Sequence, residues 1–226
     1  MPLKAIVFDF DGVIANSEPL HYRGYREVLA EEGVTLTEAD YYSRYLGFDD
    51  VGAFEAIAEQ QGLSWSGVRV ANLVARKAVL LEALERDASM LFPGAADAIR
   101  RAAAAMPVAI ASGARGEEIR RLLARENLLA CFTAIIGAED APVSKPAPDP
   151  YLRALARLAP AFADRLRPSD CVAIEDSHWG LESARAAGLH TVAVTNTYRA
   201  EELVADATIA SLAALDLDFL ARLCTE

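Results

Sequence analysis

The stretch Asp9-Phe10-Asp11-Gly12-Val13 follows a short apolar run, residues 4–8 (KAIVF), near the start of the chain. The length and the β-branched residues of that run predict a strand buried on both faces. Residues i and i+2 of a strand point to the same side, so Asp9 and Asp11 are expected to face one crevice, while Gly12 lets the chain turn away. The sequence therefore predicts two carboxylates at the end of the first strand.

Two carboxylates this close repel each other unless they share a cation or one of them holds a proton. With magnesium bound, Asp9 could attack phosphorus while Asp11 moves a proton to and from the leaving oxygen. The alternative is an ordinary turn, because Asp and Gly are common turn residues. Residues elsewhere in the chain are needed to separate these two interpretations.

The composition is that of a globular protein, since 53% of the 226 residues are hydrophobic and 24% are charged. No apolar run is long enough to cross a bilayer and no export signal is present, so we expect a soluble cytoplasmic protein. The formal charge of −11 disfavours nucleic acid and anionic membranes as partners. The three cysteines are far apart, which predicts neither a disulfide framework nor a zinc site.

The chain changes pattern twice. Residues 17–88 predict a series of helices, with Ser17 as an N-cap and a second helix start at Thr37. From residue 92 onward, helices alternate with short apolar runs, which predicts an α/β fold with a doubly wound parallel sheet. We therefore predict an α/β catalytic core of residues 1–15 and 92–226, with a helical domain of residues 16–91 inserted after the first strand.

Ligands bind beyond the carboxyl ends of the strands in such a sheet, and the predicted strands deliver polar residues there. The second strand is followed by Ser112-Gly113, a hydroxyl and backbone N–H groups suited to an anion, although a plain helix cap would look the same. The loop after the third strand holds Lys145 among three prolines, at 146, 148 and 150, which stiffen it and fix where the lysine points.

The fourth predicted strand ends in Glu175-Asp176-Ser177 and adds two acids to Asp9 and Asp11. An exposed turn capped by Ser177 is the alternative for this segment alone. Four carboxylates from two strands form a hard oxygen site suited to magnesium together with a substrate phosphate. Lys145 and the Ser112 hydroxyl would then oppose the remaining phosphate charge.

Taken in order, these motifs resemble the four signature motifs of the haloacid dehalogenase superfamily: Asp9-Phe10-Asp11-Gly12-Val13, Ser112, Lys145-Pro146-Ala147-Pro148, and Glu175-Asp176-Ser177 with Gly180. More narrowly, the chain resembles the branch that holds β-phosphoglucomutase and many small sugar-phosphate phosphatases. The similarity spans nearly the whole chain. It implies a Rossmann-like core, an inserted α-helical cap domain and Mg²⁺ as the cofactor.

The resemblance also implies residue roles. Asp9 matches the nucleophile that becomes phosphorylated, and Asp11 matches the general acid/base whose backbone carbonyl also contacts the metal. Asp176 matches a direct metal ligand, with Glu175 beside it as a ligand or as a partner of the ligands. The phosphate-binding positions match Ser112, with Gly113 after it, and Lys145.

Cap residues are harder to assign. His21 and Lys77 fall near a histidine and a lysine of the β-phosphoglucomutase cap, although a single cap histidine is more often a packing or solvent-facing residue. The specificity loop, residues 46–50 (LGFDD), offers Asp49 and Asp50 and has no arginine where the mutase holds a second phosphate.

These observations favour a magnesium-dependent phosphatase that hydrolyses a small phosphomonoester, such as a sugar or polyol phosphate, through an aspartyl-phosphate. The alternative is a phosphomutase of the β-phosphoglucomutase type, in which a sugar hydroxyl replaces water as the acceptor. A dehalogenase is disfavoured because those enzymes lack the second acid that Asp11 supplies. A non-enzymatic binding module is disfavoured by the four intact motifs. The expected partner is a small phosphorylated metabolite, and the sequence does not indicate the oligomeric state.

Overall fold

The computed structural model describes residues 3–45, 48, 50–85, 89–163 and 165–225. It divides into two compact units, which we call the core unit (Met1–Asn16 with Met90–Glu226) and the helical unit (Ser17–Ser89). The sequence placed the boundaries after residues 15 and 91, within two residues of this division. The helical unit is thus an insertion in the chain that forms the core unit.

The helical unit contains α1 (Glu18–Glu31), α2 (Glu38–Asp40), α3 (Asp50–Gln60) and α4 (Gly67–Glu85), with a π-helical turn, Tyr41–Tyr45, after α2. Its apolar side chains form a core of their own, in which Tyr25, Leu29, Phe54 and Leu73 are buried. The buried residues recur at helical spacing, so each helix has one apolar face to bury against the others and one polar face.

The two helix starts expected in this unit differ in detail. The Thr37 hydroxyl accepts a hydrogen bond from the Asp40 backbone N–H at 3.1 Å, which confirms the predicted start of α2. Ser17 precedes α1, but its side chain makes no capping hydrogen bond. Its backbone is already helical, with φ −77° and ψ −28°, whereas a capping serine usually has an extended backbone. The predicted start of α1 after Ser17 is therefore confirmed, whereas capping by the Ser17 side chain is wrong.

The core unit is built on a six-stranded parallel sheet with the strand order β3-β2-β1-β4-β5-β6. The strands are β1 (Ala5–Phe8), β2 (Val108–Ala111), β3 (Ala134–Ile136), β4 (Cys171–Glu175), β5 (His190–Val194) and β6 (Ala207–Ile209). The predicted α/β class with a parallel sheet is confirmed. Because all strands run the same way, the segments that follow β1, β2, β4 and β5 emerge at one edge of the sheet.

The core unit also contains α-helices. They are α5 (Ala95–Ala105), α6 (Gly116–Arg125), α7 (Asp149–Leu158), α8 (His178–Ala186) and α9 (Leu217–Leu223). On one face of the sheet, Tyr151 and Ala154 of α7 pack with Val7, Ala109 and other buried strand residues. None of the helices in the described parts of the chain is both long and apolar enough to span a membrane.

Candidate active site

The end of β1 delivers Asp9 into a tight turn. The Asp9 backbone N–H donates to the Ile174 carbonyl at 2.8 Å, which fixes Asp9 beside the end of β4. The turn then closes through Gly12, whose φ of +79° is in the left-handed region that favours glycine. A side chain at position 12 would also overlap the Asp176 carboxylate, so Gly12 allows the two acid-bearing loops to touch.

Lys145 links two of these acids. Its Nζ lies 2.6 Å from Asp9 Oδ1 and 2.6 Å from Glu175 Oε1, and its side chain is only 14% exposed. Burial would lower the pKa of Lys145, but the negative charges of Asp9 and Glu175 outweigh it and raise that pKa above its usual value. The lysine is therefore a fixed cation at the site.

Glu175 is fully buried, and hydrogen bonds from the protein occupy both of its carboxylate oxygens. Oε1 accepts from Lys145 and, at 2.9 Å, from the hydroxyl of Tyr151. Oε2 accepts from the Asp176 backbone N–H at 3.1 Å and from the N–H and hydroxyl of Ser177 at 3.3 and 3.1 Å. This arrangement suits Glu175 as the anchor that holds Lys145 and the β4 loop.

The acids form a group that could hold a metal ion. Asp9, Glu175 and Asp176 each present an oxygen within 4.8 Å of the others, and all three are buried. Burial, with the Glu175 charge next, raises the pKa of Asp9 well above its ordinary value, although Lys145 acts to lower it. The same two causes raise the pKa of Asp176 to about 7.

This donor set fits magnesium. The oxygens are hard ligands, and burial, with the Glu175 charge next, disfavours the ionised forms of Asp9 and Asp176, so a bound cation would stabilise them. The Asp11 side chain is not a member of this three-residue group among the described residues. The role that the family resemblance gives Asp11 at the metal uses its backbone carbonyl, and it stays a prediction.

Ser112 and Gly113 follow β2 at the same edge. The Ser112 backbone N–H donates to the Ile136 carbonyl at 3.0 Å, and its hydroxyl oxygen accepts from the Ala114 N–H at 3.1 Å. The space that a side chain on Gly113 would occupy is open. The sequence suggested that this segment leads straight into a helix N-terminus, but the first N–H of α6, at Gly116, is taken by the Glu139 carboxylate at 3.0 and 3.1 Å. The first N–H of the helix is thus already used, and the Ser112-Gly113 turn stays a predicted anion site.

Three of the four predicted cap residues meet inside the helical unit. Lys77 is fully buried; its Nζ donates to Asp50 Oδ1, lies 3.1 Å from His21 Nδ1 and sits 4.0 Å from the centre of the Tyr25 ring. Burial, followed by the Lys77 charge, lowers the pKa of His21 to about 4. The fourth residue, Asp49, lies outside the described residues.

Sequence reasoning missed three side chains that touch this site. The Tyr151 hydroxyl bonds Glu175, the Asn196 amide donates to the Gly12 carbonyl at 2.8 Å, and the Thr197 hydroxyl donates to Asp176 Oδ2. Tyr151 lies six residues after Lys145 on α7, and the other two follow β5. The position of Asn196 and Thr197 just beyond a predicted strand was the available signal, because such positions line ligand sites in parallel sheets.

Comparison with known proteins gives a family match over residues 3–188, to the model described as haloacid dehalogenase-like hydrolase. Among similar proteins, CbbY from Rhodobacter capsulatus is 34% identical over 208 residues, which cover 88% of each chain. Fructose-1-phosphate phosphatase YqaB from Escherichia coli K12 is 29% identical over 191 residues, covering 84% of this chain and 95% of its own.

Solved structures agree with this match. CbbY from Rhodobacter sphaeroides in complex with phosphate is 28% identical, with a TM-score of 0.77 over 95% of this chain and 96% of that one. A mutant of the same protein in complex with xylulose-(1,5)bisphosphate gives a TM-score of 0.74 at the same identity and coverage. The fold is thus shared with these proteins over nearly their full length.

Proposed function

Because the chain belongs to the haloacid dehalogenase-like hydrolase family, we propose that it is a magnesium-dependent phosphatase acting on a small sugar or polyol phosphate. The observation that carries this proposal is the position of Lys145, 2.6 Å from both Asp9 and Glu175. A buried cation held against the candidate nucleophile and beside further acids supports chemistry on an anionic substrate at Asp9.

Asp9 and Asp11 divide the chemistry between them. A carboxylate oxygen of Asp9 attacks phosphorus, and the bond from phosphorus to the leaving alcohol oxygen breaks as the new bond forms. Asp11 gives its proton to that oxygen, so the product leaves as an alcohol. Asp11 then takes a proton from water, the water oxygen attacks phosphorus, and the bond to Asp9 breaks. Phosphate is released and the Asp9 carboxylate is restored.

The remaining site residues control charge and orientation. Lys145 opposes the phosphate charge and, through Glu175, stays fixed during both steps. The Ser112 hydroxyl and the Gly113 backbone N–H are the proposed donors to the phosphate oxygens. Magnesium, held by Asp9, Asp176 and the Asp11 carbonyl, would supply the positive charge that the phosphoryl oxygens and the acids share. Glu175 takes part as the partner of Lys145.

The substrate class follows from the relatives and from the helical unit. One similar protein is named a fructose-1-phosphate phosphatase, and a solved relative contains a sugar bisphosphate. We assign substrate selection to the helical unit. Its buried lysine, Lys77, is already paired with Asp50, so it offers little free positive charge for a second phosphate. A singly phosphorylated sugar or polyol is the substrate that this pairing favours.

The test measures free phosphate released in the presence of Mg²⁺ from fructose 1-phosphate, β-glucose 1-phosphate and xylulose 1,5-bisphosphate. We expect turnover of a monophosphate, loss of turnover on chelation, and loss of turnover in Asp9→Asn. Asp97→Asn, the same change at an exposed side chain of α5, is the matched control and should retain activity.

One arm of this test addresses the phosphomutase alternative. β-Glucose 1-phosphate is supplied with a trace of glucose 1,6-bisphosphate, and both free phosphate and glucose 6-phosphate are followed. Rapid formation of glucose 6-phosphate without release of phosphate would contradict the phosphatase proposal.

A further inference from the structure

The loop that follows β5 contacts both acid-bearing loops of the core unit. Its Asn196 side chain donates from Nδ2 to the Gly12 carbonyl at 2.8 Å, and its Thr197 hydroxyl donates to Asp176 Oδ2. Gly12 and Asp176 are themselves in contact, since a side chain at position 12 would overlap that same Asp176 oxygen. The β5 loop, the Gly12 turn and the Asp176 side chain are therefore each in contact with the other two.

Each contact restrains something that the proposed chemistry needs. Asp176 is buried and can rotate about its side-chain bonds, so a hydrogen bond to one of its oxygens determines where the other one points. The Gly12 carbonyl belongs to the turn that carries Asp9 and Asp11, so a donor to that carbonyl restrains the turn. Both restraints come from the loop after β5, and none of the proposed catalytic acids lies on that strand or in that loop.

We propose that Thr197 and Asn196 are positioning residues, which hold Asp176 and the Gly12 turn in the arrangement that binds the divalent cation. This inference rests on the proposed function, because it assigns a task within the same site. Loss of a partner that orients a metal ligand typically weakens metal binding about 10-fold to 100-fold. The Thr197 hydroxyl should have the larger effect because it bonds a ligand side chain directly, whereas Asn196 acts through the backbone.

Thr197 is also a suitable position for a substitution, because changes at exposed side chains usually alter stability little. It is exposed at the surface, and it lines an open cleft of about 560 Å³ formed by residues of the loop from Thr195 to Glu202. Thr195 in the same cleft is a natural comparison. Within the described part of the chain, its side chain makes no hydrogen bond to either acid-bearing loop, and its backbone N–H bonds Ile209 of β6 at 3.1 Å.

The experiment titrates the substrate-free protein with Mg²⁺ by isothermal titration calorimetry, so the readout does not depend on turnover. Thr197→Val keeps the shape of threonine and removes the hydroxyl, and we expect its Mg²⁺ affinity to fall at least about 10-fold. Thr197→Ser restores the donor and should stay within about threefold of the wild-type affinity. Thr195→Val is the matched control and should bind like the wild type.

Two further variants keep the inference testable. Thr197→Ala lacks the hydroxyl and also lacks the methyl group that valine puts in its place. It must show the same loss of Mg²⁺ affinity as Thr197→Val. Asn196→Ala should weaken Mg²⁺ binding by a smaller factor. Wild-type affinity in both Thr197→Val and Thr197→Ala would overturn the inference while leaving the phosphatase proposal intact. Normal Mg²⁺ binding by the wild type without hydrolysis of any tested phosphomonoester would overturn the phosphatase proposal, and the calorimetric comparison of the variants would still decide the role of Thr197.

Discussion

Tyr151 is a fully buried side chain whose hydroxyl reaches the charged group of the site. It donates to Glu175 Oε1, the same oxygen that accepts from Lys145, and its ring lies 5.2 Å from Lys145 Nζ. Burial, followed by the charges of Glu175 and Asp9, raises the pKa of Tyr151 well above its ordinary value, so it stays a proton donor. Tyr151 thus helps to hold Glu175 as the anchor for Lys145.

Tyr151→Phe removes this one donor and keeps the ring in place. A hydrogen bond to a charged group contributes about 1.5–3 kcal/mol, so we expect kcat/KM to fall roughly 10-fold to 100-fold. Phosphate release and urea unfolding are measured on the same preparation. A fall in kcat/KM in a variant that stays fully folded under the assay conditions supports the positioning role, and an unchanged kcat/KM would contradict it.

For single residues of the site, the sequence predicted the charged side chains better than the side chains that bond them. Asp9, Lys145, Glu175 and Asp176 were expected together because acids and a lysine after parallel strands must emerge at one edge, and the structure brings them together. Tyr151 gave no such signal, because a tyrosine in an apolar helix face is usually a packing residue. Its function depends on which oxygen it meets in three dimensions.

The first turn of α8 packs directly against Glu175. Gly180, in this turn, donates its N–H to the Ser177 hydroxyl at 3.1 Å, and a Cβ at position 180 would overlap the Glu175 carboxylate. The close approach of the helix backbone therefore requires glycine. Ser177 caps the helix, as in the alternative considered for this segment, but Glu175 and Asp176 before it are buried, so the segment is not an exposed turn. Ser177 also bonds Glu175 from its N–H and hydroxyl.

Gly180→Ala should be destabilising even though alanine normally favours a helix by about 1 kcal/mol over glycine. The added methyl group must displace Glu175, which is buried and cannot move without breaking its bond to Lys145. We expect a lower melting temperature together with a loss of phosphatase activity. Gly67→Ala at the start of α4 is the control, because a Cβ there meets nothing, and its stability should be unchanged or slightly higher. Equal behaviour of the two variants would contradict the close-packing argument.

Three helices of the helical unit meet at Lys77. Asp50 begins α3, Tyr25 lies on α1 and Lys77 on α4, and the Asp50 carboxylate accepts from both the lysine and, at 2.7 Å, the tyrosine hydroxyl. The sequence suggested that Asp50 and Lys77 contact substrate, and it did not indicate that they pair with each other. Side chains so far apart in the chain meet only through helix packing, which local sequence patterns do not encode.

Asp50→Asn should destabilise the helical unit because it leaves the buried Lys77 ammonium without its counter-charge. Breaking a buried ion pair costs about 3–5 kcal/mol, and we expect about 1–3 kcal/mol here because the Asp50 side chain is 33% exposed. Unfolding is followed by the fluorescence of Trp65 in a Trp179→Phe background, since these are the two tryptophans of the chain. Replacing both partners, in Asp50→Asn with Lys77→Met, should recover part of the loss. A double variant no more stable than Asp50→Asn alone would contradict the ion-pair explanation.

Element boundaries show what the sequence could and could not predict about the fold. The strand ends before Asp9 and Ser112 were predicted because each strand is a short apolar run in a polar context, as at Val108–Ala111. The membership in the haloacid dehalogenase superfamily and the parallel sheet are confirmed. The strand order and the Glu139 carboxylate at the start of α6 were not predicted, because both depend on packing between segments distant in sequence.

For the molecule as a whole, the insertion divides the core unit into two stretches of chain. The first stretch contributes β1, which lies in the middle of the sheet between β2 and β4. Pairing within the sheet is reinforced at the start of the strand, where the Lys4 backbone N–H donates to the Asp170 carbonyl at 2.8 Å and Lys4 Nζ lies 2.8 Å from Asp170 Oδ2. Asp170 belongs to the second stretch and Lys4 to the first, so these bonds connect the two stretches of the core unit.

The Asp170 side chain is fully buried and also bonds Arg167, whose guanidinium lies 3.0 Å from Oδ1. Burial acts to raise the pKa of Asp170, but the hydrogen bonds from Lys4 and Arg167 outweigh it and hold that pKa below its ordinary value. A carboxyl group with a lowered pKa in the folded state stabilises the fold above its unfolded-state pKa of about 3.9, and the contribution is lost as the pH falls through the folded-state value.

Asp170→Asn should therefore lower the free energy of unfolding at pH 7 by about 1–3 kcal/mol, the range for a hydrogen-bonded charged group. Lys4 should account for more of this than Arg167, because the Arg167 side chain is 53% exposed and its ion pair is screened by solvent. Urea unfolding is followed by circular dichroism between pH 7 and pH 3 for the wild type, Asp170→Asn and the exposed control Asp97→Asn. The difference between Asp170→Asn and the wild type should be constant from pH 7 to about pH 4 and should shrink below that, where the wild-type Asp170 takes up its proton. A difference that stays constant to pH 3, or one no larger than that of Asp97→Asn, would show that the Asp170 charge does not join the two stretches of the core unit.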